Sequence, residues 1–273
     1  MATETLQISE KYVQLTHGKT RYFEAGTGYP TILLHGAGFV GGADGWLHLF
    51  PTLAQKLRVI SIDSLNWGPG DVLDQEFSFG YIVDHVREFM DALDIEKANI
   101  AGHSMGGWLA GLLAYESPDR VNKVVLSSAG GSETRPLQSM VDWKPPAAEQ
   151  VTNQVTRRMA NFPPGVDGEK ILQDYLKVIA DPVHTEAFAK VMRHMTNPAT
   201  RERYNTRRRL ARIKTPTLIL WGTNDQTNDI SMGHDIHSLI PGSKMVTFEG
   251  AGHGTTSERA EDWAREVLAF LTE

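Results

Sequence analysis

One serine of this chain lies in a setting that can make it a nucleophile. Ser104 stands at the centre of Gly-His-Ser-Met-Gly, residues 102–106, which fits the pattern G-x-S-x-G. A β-branched run at 98–104 leads into the motif and an apolar helical pattern at 105–117 follows it. At a junction of strand and helix this pattern forms a nucleophile elbow, a tight turn that exposes the serine hydroxyl and needs small flanking residues. The sequence therefore predicts acyl transfer to Ser104.

A serine hydroxyl is a weak nucleophile at neutral pH and needs a histidine base that a carboxylate orients. Behind a nucleophile elbow the chain order is serine, then acid, then histidine. Asp225 follows the run TPTLILWG, and His253 follows the run KMVTFEG. We therefore expect His253 to take the proton of Ser104 and Asp225 to orient the imidazole. Asp229, four residues further on, is the alternative acid.

Small residues at the end of another predicted strand can stabilise the negative charge that develops on an attacked carbonyl oxygen. The residues HGAG follow the run PTILL, so their backbone N–H groups can approach such an oxyanion. We assign one donor to the N–H of Ala37, with Gly38 as the neighbouring candidate, and the other to the N–H of Met105. We expect His35 and His103 to be structural, with hydrogen bonds to loop backbones under the site.

The elements that must position these residues are short strands that alternate with helices. The β-branched runs lie at 11–17, 19–26, 30–36, 58–64, 98–104, 122–128, 215–222 and 244–250. The helical patterns between them lie at 45–57, 79–94, 105–117, 230–240 and 257–272. Several runs are apolar throughout, which is typical of strands buried on both faces of a parallel sheet. The sequence predicts an α/β fold with a doubly wound, mostly parallel eight-stranded sheet, helices on both faces and an antiparallel hairpin at one edge.

One long interval interrupts the alternation and predicts an inserted helical lid. Between the runs that end at 128 and begin at 215 the chain is rich in proline and has helical segments instead of strands. We expect a core formed by residues 1–130 and 213–273, with a helical cap at 131–212.

The substrate pocket is predicted to lie between this cap and the serine. Apolar side chains of the cap suit an adaptable pocket wall; they are Met140, Trp143, Met159, Phe162, Phe188, Met192 and Met195. From these we assign Trp143, Met159, Phe188 and Met192 to substrate binding, and we add Trp46 from the segment after HGAG. For any one of them, packing of the cap onto the core is the alternative role.

Composition narrows the class of protein. The 273 residues carry a net charge of −6, which argues against a nucleic-acid or anionic-membrane partner. The chain has no cysteine, and its histidines show no metal-ligand spacing, so we expect no metal and no cofactor. The polar N-terminal segment lacks the apolar core of a signal peptide, which favours the cytoplasm. A small-molecule substrate is the expected partner, and the oligomeric state, a homo-oligomer included, stays open.

In this order, HGAG, DSLNWGPG at 63–70, GHSMGG, WGTND and GAGH resemble the motifs of the α/β-hydrolase superfamily along essentially the whole chain. The resemblance disfavours dehalogenases and epoxide hydrolases, which place aspartate at the elbow. Ser104-Met105 and the stretch LSSAGG are similar to carbon–carbon bond hydrolases that cleave vinylogous diketones from aromatic ring fission. That family carries asparagine before the serine and an aromatic residue after the histidine, whereas this chain has His103 and Gly254.

The function predicted from the sequence is hydrolysis of a carboxylic ester or lactone of a small, largely apolar substrate through an acyl-enzyme. The alternatives are carbon–carbon bond hydrolysis of a vinylogous diketone and a non-catalytic ligand-binding protein on the same fold. The basic run at 201–212 is interpreted as a solvated helix face. The alternative is that one of its arginines binds a carboxylate of the substrate.

Overall fold

The computed structural model describes residues 6–73, 75 and 77–273; the first five residues of the predicted core, and residues 74 and 76, lie outside the described residues. The strands are β1 Ser9–Leu15, β2 Gly18–Ala25, β3 Tyr29–Leu34, β4 Leu57–Ile62, β5 Ala98–His103, β6 Val121–Ser127, β7 Thr217–Gly222 and β8 Lys244–Phe248. Each strand lies on one of the predicted runs. Together they form one eight-stranded sheet, so the predicted fold class is confirmed.

The strand order is β1-β2-β4-β3-β5-β6-β7-β8. Strand β2 pairs antiparallel with both β1 and β4, and every later pairing is parallel. The sheet therefore has the predicted antiparallel hairpin at one edge. The carboxyl ends of β3, β5, β6, β7 and β8 all lie at the same edge of the parallel part, where open α/β sheets bind ligands.

The central strands of the sheet are buried on both faces, which explains their largely apolar sequences. In β3, Ile32 and Leu34 belong to one hydrophobic cluster, whereas Leu33 belongs to the other. In β7, Trp221 and Leu220 divide in the same way. Because successive side chains of a strand point to opposite faces, a strand between two layers of helices favours apolar residues at consecutive positions.

Helices cover the two faces. In chain order they are α1 Phe50–Leu53, α2 Phe79–Ala92, α3 Met105–Glu116, α4 Gln138–Val141, α5 Ala148–Met159, α6 Gly168–Ala180, α7 Pro182–Thr196, α8 Pro198–Arg203, α9 Arg207–Leu210, α10 Ile230–Leu239, α11 Thr255–Glu258 and α12 Ala260–Thr272. Helices α2, α3 and α10 pack in the cluster of Ile32, and α1 and α12 in the cluster of Leu33. Among the described residues, no helix is long and apolar enough to cross a membrane.

The helices α4 to α9 form the insertion between β6 and β7, where the sequence predicts a cap. Phe188 of α7 joins the cluster of Ile32, whereas Val151 of α5 and Ile171 of α6 join the other cluster. The inserted segment therefore packs into both hydrophobic clusters at the carboxyl edge of the sheet.

The structure differs from the predicted helix at 45–57. Residues Ala43–Leu49 form a 3₁₀ helix, α1 spans only Phe50–Leu53, and β4 already begins at Leu57. Pro51 lacks the N–H that a continuous helix needs, so it stands in the first turn of a new helix.

Candidate active site

Ser104 lies in a strained backbone conformation at the junction of β5 and α3. Its φ angle is +55°, a region that non-glycine residues rarely adopt. A Cβ atom at Gly102 would lie 2.1 Å from the carbonyl oxygen of Gly106, and a Cβ atom at Gly106 would lie 1.9 Å from that of Leu34. The glycines of the motif are therefore required by the close approach of strand and helix, which holds the strained turn in place.

The structure brings the three predicted side chains together. The Oγ atom of Ser104 lies 3.0 Å from Nε2 of His253, and Nδ1 of His253 lies 2.8 Å from Oδ2 of Asp225. These are the contacts of a general base that faces a nucleophile on one side and a carboxylate on the other.

The acid is held by backbone as well as by the imidazole. Oδ1 of Asp225 accepts hydrogen bonds from the N–H groups of Thr227 and Asn228, at 2.8 and 2.9 Å. Burial opposes ionisation of Asp225, but the hydrogen bonds from His253 and from these N–H groups outweigh it and lower the pKa of the carboxyl. Asp229, the alternative acid, instead accepts from the N–H of Ser231 at the start of α10.

His103, next to the serine, fastens the loop that carries the candidate base. Its Nε2–H donates to the backbone carbonyl of His253 over 2.8 Å. Burial and the neighbouring ring of His253 lower the pKa of His103 to about 4, so the side chain is neutral at pH 7. It therefore acts as a neutral hydrogen-bond donor to a loop backbone.

The loop after β3 passes close to the serine. A Cβ atom at Gly36 would lie 3.3 Å from Cβ of Ser104. Among the described residues none accepts a hydrogen bond from the N–H of Ala37, and Met105 is the first residue of α3, whose N–H has no partner within the helix. These two N–H groups are thus available to a ligand.

His35 anchors the same loop, since its Nδ1–H donates to Gly36 O over 2.7 Å and its Nε2 accepts from the N–H of Ser64 over 2.9 Å.

A buried ionic network supports this loop from below. Arg21, which is fully buried, donates to Oδ2 of Asp63 over 2.7 Å and to Oδ1 of Asp44 over 2.8 Å. Asp63 in turn accepts from the N–H of Ala43 over 2.6 Å. Burial opposes ionisation of Asp44, but the charges of Arg158 and Arg21 outweigh it and lower the pKa of this carboxyl. The loop therefore rests on paired, hydrogen-bonded charges.

The inserted segment contributes to the same network. Tyr175 of α6 donates to Oδ1 of Asp44 over 2.7 Å, and its hydroxyl oxygen accepts from the N–H groups of Gly41 and Gly42, each at 3.0 Å. Nη1 of Arg158, on α5, lies 2.8 Å from Oδ2 of Asp44 without hydrogen-bond alignment. Helix α6 is thus hydrogen-bonded directly to the loop that carries the candidate oxyanion donor, and α5 adds an ion pair with Asp44.

Two cavities meet at Ser104. The larger cavity, of about 770 Å³, contains His253 and Trp46 among its lining residues and extends towards α5 and α12. The smaller cavity, of about 410 Å³, lies on the side of Met105, Trp108 and Asn228. The residues that line both cavities are Ala37, Ser104, Leu137 and Met140. No group of three or more His, Asp or Glu side chains within the described part of the chain can hold a metal ion.

The side chains predicted to bind substrate lie in different places. Trp46 lines the larger cavity, with its ring 5.6 Å from that of Trp263. The rings of Trp143 and Phe188 are in contact, with their centroids 4.7 Å apart and their planes tilted by 44°, and Met192 is buried in the same core cluster as Phe188. Met159 packs against the other cluster. The last four are outside the lining of both cavities, so the structure gives them packing contacts, and their contact with a substrate stays a prediction.

Sequence reasoning did not identify which charged residues line the cavities, and for the basic run at 201–212 it left a substrate-binding arginine only as an alternative. Arg158 lines the larger cavity, and Arg201, Arg135 and Glu133 line the smaller one. The interpretation of 201–212 as a solvated face does not hold for its first residue, because Arg201 is only 8% exposed. A run of charged residues gives no signal for the one that turns inward.

The comparisons with known proteins identify the class. Residues 31–266 match the sequence model of a family described as the alpha/beta hydrolase family. The match covers well over half of the chain, and the chain belongs to this family.

Two relatives and one solved structure are similar to the chain over nearly its whole length. The chain is 30% identical to a 2-hydroxy-6-oxononadienedioate/2-hydroxy-6-oxononatrienedioate hydrolase of Cupriavidus pinatubonensis, over 96% of this chain and 95% of the relative. It is 28% identical to a 2-hydroxymuconate semialdehyde hydrolase of a Pseudomonas species, over 93% of this chain and 91% of the relative. Among solved structures it is similar to the meta-cleavage product hydrolase CumD of Pseudomonas fluorescens, with a TM-score of 0.76, 27% identity, and coverage of 96% and 97% of the two chains.

Proposed function

We propose that the protein hydrolyses the carbon–carbon bond beside a ketone in a conjugated 2-hydroxy-6-oxo acid, with Ser104 as nucleophile. The observation that carries the proposal is the chain of contacts from Ser104 through His253 to Asp225, at 3.0 and 2.8 Å, where two cavities meet. The names of the relatives supply the substrate class. They favour carbon–carbon bond hydrolysis, which the sequence left as an alternative, over the ester hydrolysis first predicted.

The reaction begins when the proton of the substrate's 2-hydroxyl group moves to the carbon beside the ketone, which gives the 2-oxo tautomer. Ser104 then attacks the ketone carbon while His253 takes the proton of the serine hydroxyl. The N–H groups of Ala37 and Met105 stabilise the tetrahedral oxyanion, and Asp225 stabilises the imidazolium. Breakage of the carbon–carbon bond leaves an acyl group on Ser104, and the electron pair passes along the conjugated arm to the 2-oxo oxygen, which takes the proton from His253. A water molecule activated by His253 then hydrolyses the acyl-enzyme. One water is consumed, and a carboxylic acid and an unsaturated 2-hydroxy acid are released.

A carbon leaving group places a demand on the substrate. An isolated carbanion is far too basic to leave, but one conjugated with an α-keto acid spreads its charge on to oxygen. The protein then has to orient the conjugated arm and supply one proton, which His253 can do from its position beside Ser104. The inserted segment contributes Leu137 and Met140 to both cavities, and we propose that it acts as a lid that selects the substrate.

Ester or lactone hydrolysis is the second candidate, and two positions near the serine favour it. Carbon–carbon bond hydrolases of the resembling family carry asparagine and an aromatic residue where this chain has His103 and Gly254. The Nε2–H of His103 is already bonded to the carbonyl of His253, so it is not free to orient a conjugated arm. An alkoxide or enolate leaving group needs less orientation than a carbanion, because its charge already rests on oxygen.

A substrate panel separates these candidates. We expect the purified protein to bleach the visible absorbance of a 2-hydroxy-6-oxohexa-2,4-dienoate, with release of a carboxylic acid, and Ser104→Ala to abolish the reaction. Hydrolysis of nitrophenyl esters without any turnover of the dienoate would instead establish the second candidate.

Covalent labelling tests the nucleophile independently of the substrate. We expect a fluorophosphonate probe to label the wild-type protein and Ser238→Ala, an exposed serine on α10, but not Ser104→Ala. A folded wild-type protein that takes up no probe and turns over no substrate would favour the non-catalytic ligand-binding protein.

A further inference from the structure

The segment at the end of β6 contacts every part of the chain that carries a member of the candidate triad. We call residues 127–130 the β6 turn; they belong to the stretch LSSAGG. The N–H of Ser104 donates to the carbonyl of Ser127 over 2.9 Å, and the N–H of Gly130 donates to the carbonyl of Ser104 over 3.0 Å. The β6 turn therefore holds the backbone of the candidate nucleophile at both its N–H and its carbonyl group.

The β6 turn is also bonded to the segment of the candidate base. The hydroxyl groups of Ser127 and Thr255 share a hydrogen bond of 3.0 Å, and Thr255 stands two residues after His253. The hydroxyl oxygen of Ser127 also accepts from the indole N–H of Trp263 over 3.0 Å. Ser127 and Thr255 are both fully buried, so water does not compete for these bonds.

Asn228 connects the candidate acid to the same turn. Its side-chain Nδ2–H donates to the carbonyl of Ser128 over 2.8 Å, and its backbone N–H donates to Oδ1 of Asp225 over 2.9 Å. Its own carbonyl accepts from the indole N–H of Trp221 over 2.9 Å. Asn228 is only 9% exposed, so its side-chain amide makes a protected bridge from the loop of the acid to the β6 turn.

Ser128 forms the other end of this bridge in an unfavourable conformation. Its φ angle is +44°, a region that non-glycine residues rarely adopt, and its buried hydroxyl has no hydrogen-bond partner among the described residues. Such a residue persists when its surroundings hold it, here through the bond from Asn228 and through its own N–H, which donates to the carbonyl of Leu220 over 2.9 Å. Backbone strain of this kind concentrates at active sites, so the bridge is a candidate for function.

We infer that Asn228 is a positioning residue, whose side-chain amide holds the carboxylate of Asp225 at a fixed distance from the hydroxyl of Ser104. The imidazole of His253 spans that distance, with contacts of 3.0 and 2.8 Å at its two ends. A misplacement of about 1 Å in such an arrangement can lower a rate by about 10²-fold. The inference rests on the proposed function only in taking these three residues as the triad, and it holds for a ketone and for an ester alike.

An amide suits this role because it donates a hydrogen bond without carrying a charge. A carboxylate at position 228 would repel both Asp225 and the carbonyl of Ser128, and a cation there would compete with His253 for the carboxylate of Asp225. An apolar side chain would leave the carbonyl of Ser128 without the donor. The bridge therefore depends on the chemistry of the side chain as well as on its size.

The kinetics of Asn228→Ala test this role. The variant removes the amide and retains the backbone N–H that Asp225 accepts from, so we expect kcat to fall by about 3- to 10-fold, the range of one neutral hydrogen bond, with KM nearly unchanged. The substrate is the dienoate or the nitrophenyl ester, whichever the wild-type protein hydrolyses. Asn228→Leu fills the space of the amide without a donor and should show a similar fall. Asn224→Ala alters an exposed asparagine of the same loop, whose side chain bonds to Gln226, and should keep the kcat of the wild-type protein.

A double-mutant cycle with Asp225→Asn separates positioning from a general structural role. If Asn228 acts through the carboxylate of Asp225, Asn228→Ala should lower kcat by less than about 2-fold once that carboxylate is absent. A purely structural role would lower kcat by the same factor in both backgrounds. That result would overturn the inference, as would a kcat of both Asn228 variants equal to that of Asn224→Ala, or the failure of both Asn228 variants to fold.

The rate of fluorophosphonate labelling covers a protein that turns over neither substrate. The probe reports the reactivity of Ser104, so its second-order rate constant should fall in Asn228→Ala and Asn228→Leu by the factor expected for kcat and stay unchanged in Asn224→Ala. Equal rate constants in all these proteins would overturn the inference, and so would a wild-type protein that takes up no probe. The proposed function fails by a different result, the absence of dienoate turnover, so the two failures are distinguishable.

Discussion

The hydroxyl of Tyr175 provides a sharp test of how the inserted segment supports the loop beside the serine. The side chain is 1% exposed, and its hydroxyl makes three hydrogen bonds. Two come from the N–H groups of Gly41 and Gly42, and one goes to Asp44. Tyr175→Phe removes only the oxygen atom and leaves the ring in its packing site, so the variant isolates these bonds.

The expected loss of stability follows from the partners that remain. Phenylalanine leaves two backbone N–H groups of the loop without their acceptor and Oδ1 of Asp44 with Arg21 as its remaining donor. A buried polar group that loses its partner costs about 1 to 3 kcal/mol. The N–H of Gly41 is only partly buried and can reach water, so we expect Tyr175→Phe to lower the free energy of unfolding by about 2 to 5 kcal/mol.

Urea unfolding at pH 7 measures this change, with Tyr115→Phe as the control. Tyr115 is 38% exposed on α3, and no hydrogen bond of its hydroxyl occurs within the described residues, so its variant should stay within about 0.5 kcal/mol of the wild-type protein. Because Ala37 lies in the same loop, Tyr175→Phe should also lower kcat, with a smaller effect on KM, for the substrate that the panel identifies. A free energy of unfolding equal to that of the control would refute the reasoning, because it would show that the three bonds contribute nothing net.

Three further changes test other parts of the site. Asp225→Asn should leave the fold intact and lower kcat by about 10³- to 10⁴-fold, since the imidazole loses the carboxylate that orients it. Gly106→Ala should yield little folded protein, because the new Cβ would lie 1.9 Å from a backbone carbonyl oxygen of β3, whereas Gly111→Ala, with no atom closer than 3.8 Å, should fold normally. Burial, together with a neighbouring histidine, lowers the pKa of His85 to about 3 and of His103 to about 4, below the ordinary 6.5. The unfolded chain therefore binds more protons below pH 6.5, and the free energy of unfolding should fall between pH 6.5 and about 4, by about 1.4 kcal/mol per pH unit for each histidine.

Each of these changes has its own control. Asp229→Asn alters an acid outside the contacts of the serine and should keep kcat, and equal losses in the two variants would exclude Asp225 as the orienting acid. Soluble Gly106→Ala with an unchanged Tm would show that the elbow tolerates a side chain. For the acid effect, urea unfolding at a series of pH values gives the slope of the free energy of unfolding against pH. This slope should be shallower for His85→Gln than for the wild-type protein, and equal slopes would show that His85 does not contribute to it.

The strands and the serine motif are predictable because their signals are local. The last three residues of β3, covered by helical layers on both faces, are apolar, and Gly102 and Gly106 flank Ser104 within five residues. Asp225 and His253 are distant in sequence, but each follows directly on a strand end, and parallel strands end at one edge of the sheet. The topology therefore brings them together without any information on side-chain packing.

The support of the site has no such local signal. Arg21, Asp44, Asp63 and Tyr175 come from four separate elements, and nothing in the residues around any one of them indicates that it is buried with the others. The cavity walls are equally hidden, since a helix places neighbouring residues on different faces. Arg201 turns inward on to Trp108, whereas Arg203, two positions later, is exposed. Sequence periodicity distinguishes apolar from polar faces, but it does not identify the charge that is buried.

The bond between His103 and the backbone carbonyl of His253 has a practical consequence. The loop is anchored through an oxygen atom that every amino acid possesses, so the imidazole can be deleted while its loop stays fastened. His253→Gly should therefore leave an empty space of imidazole shape between Ser104 and Asp225. Free imidazole diffusing into that space can accept the serine proton, which makes this protein a candidate for chemical rescue by a small base added to the buffer.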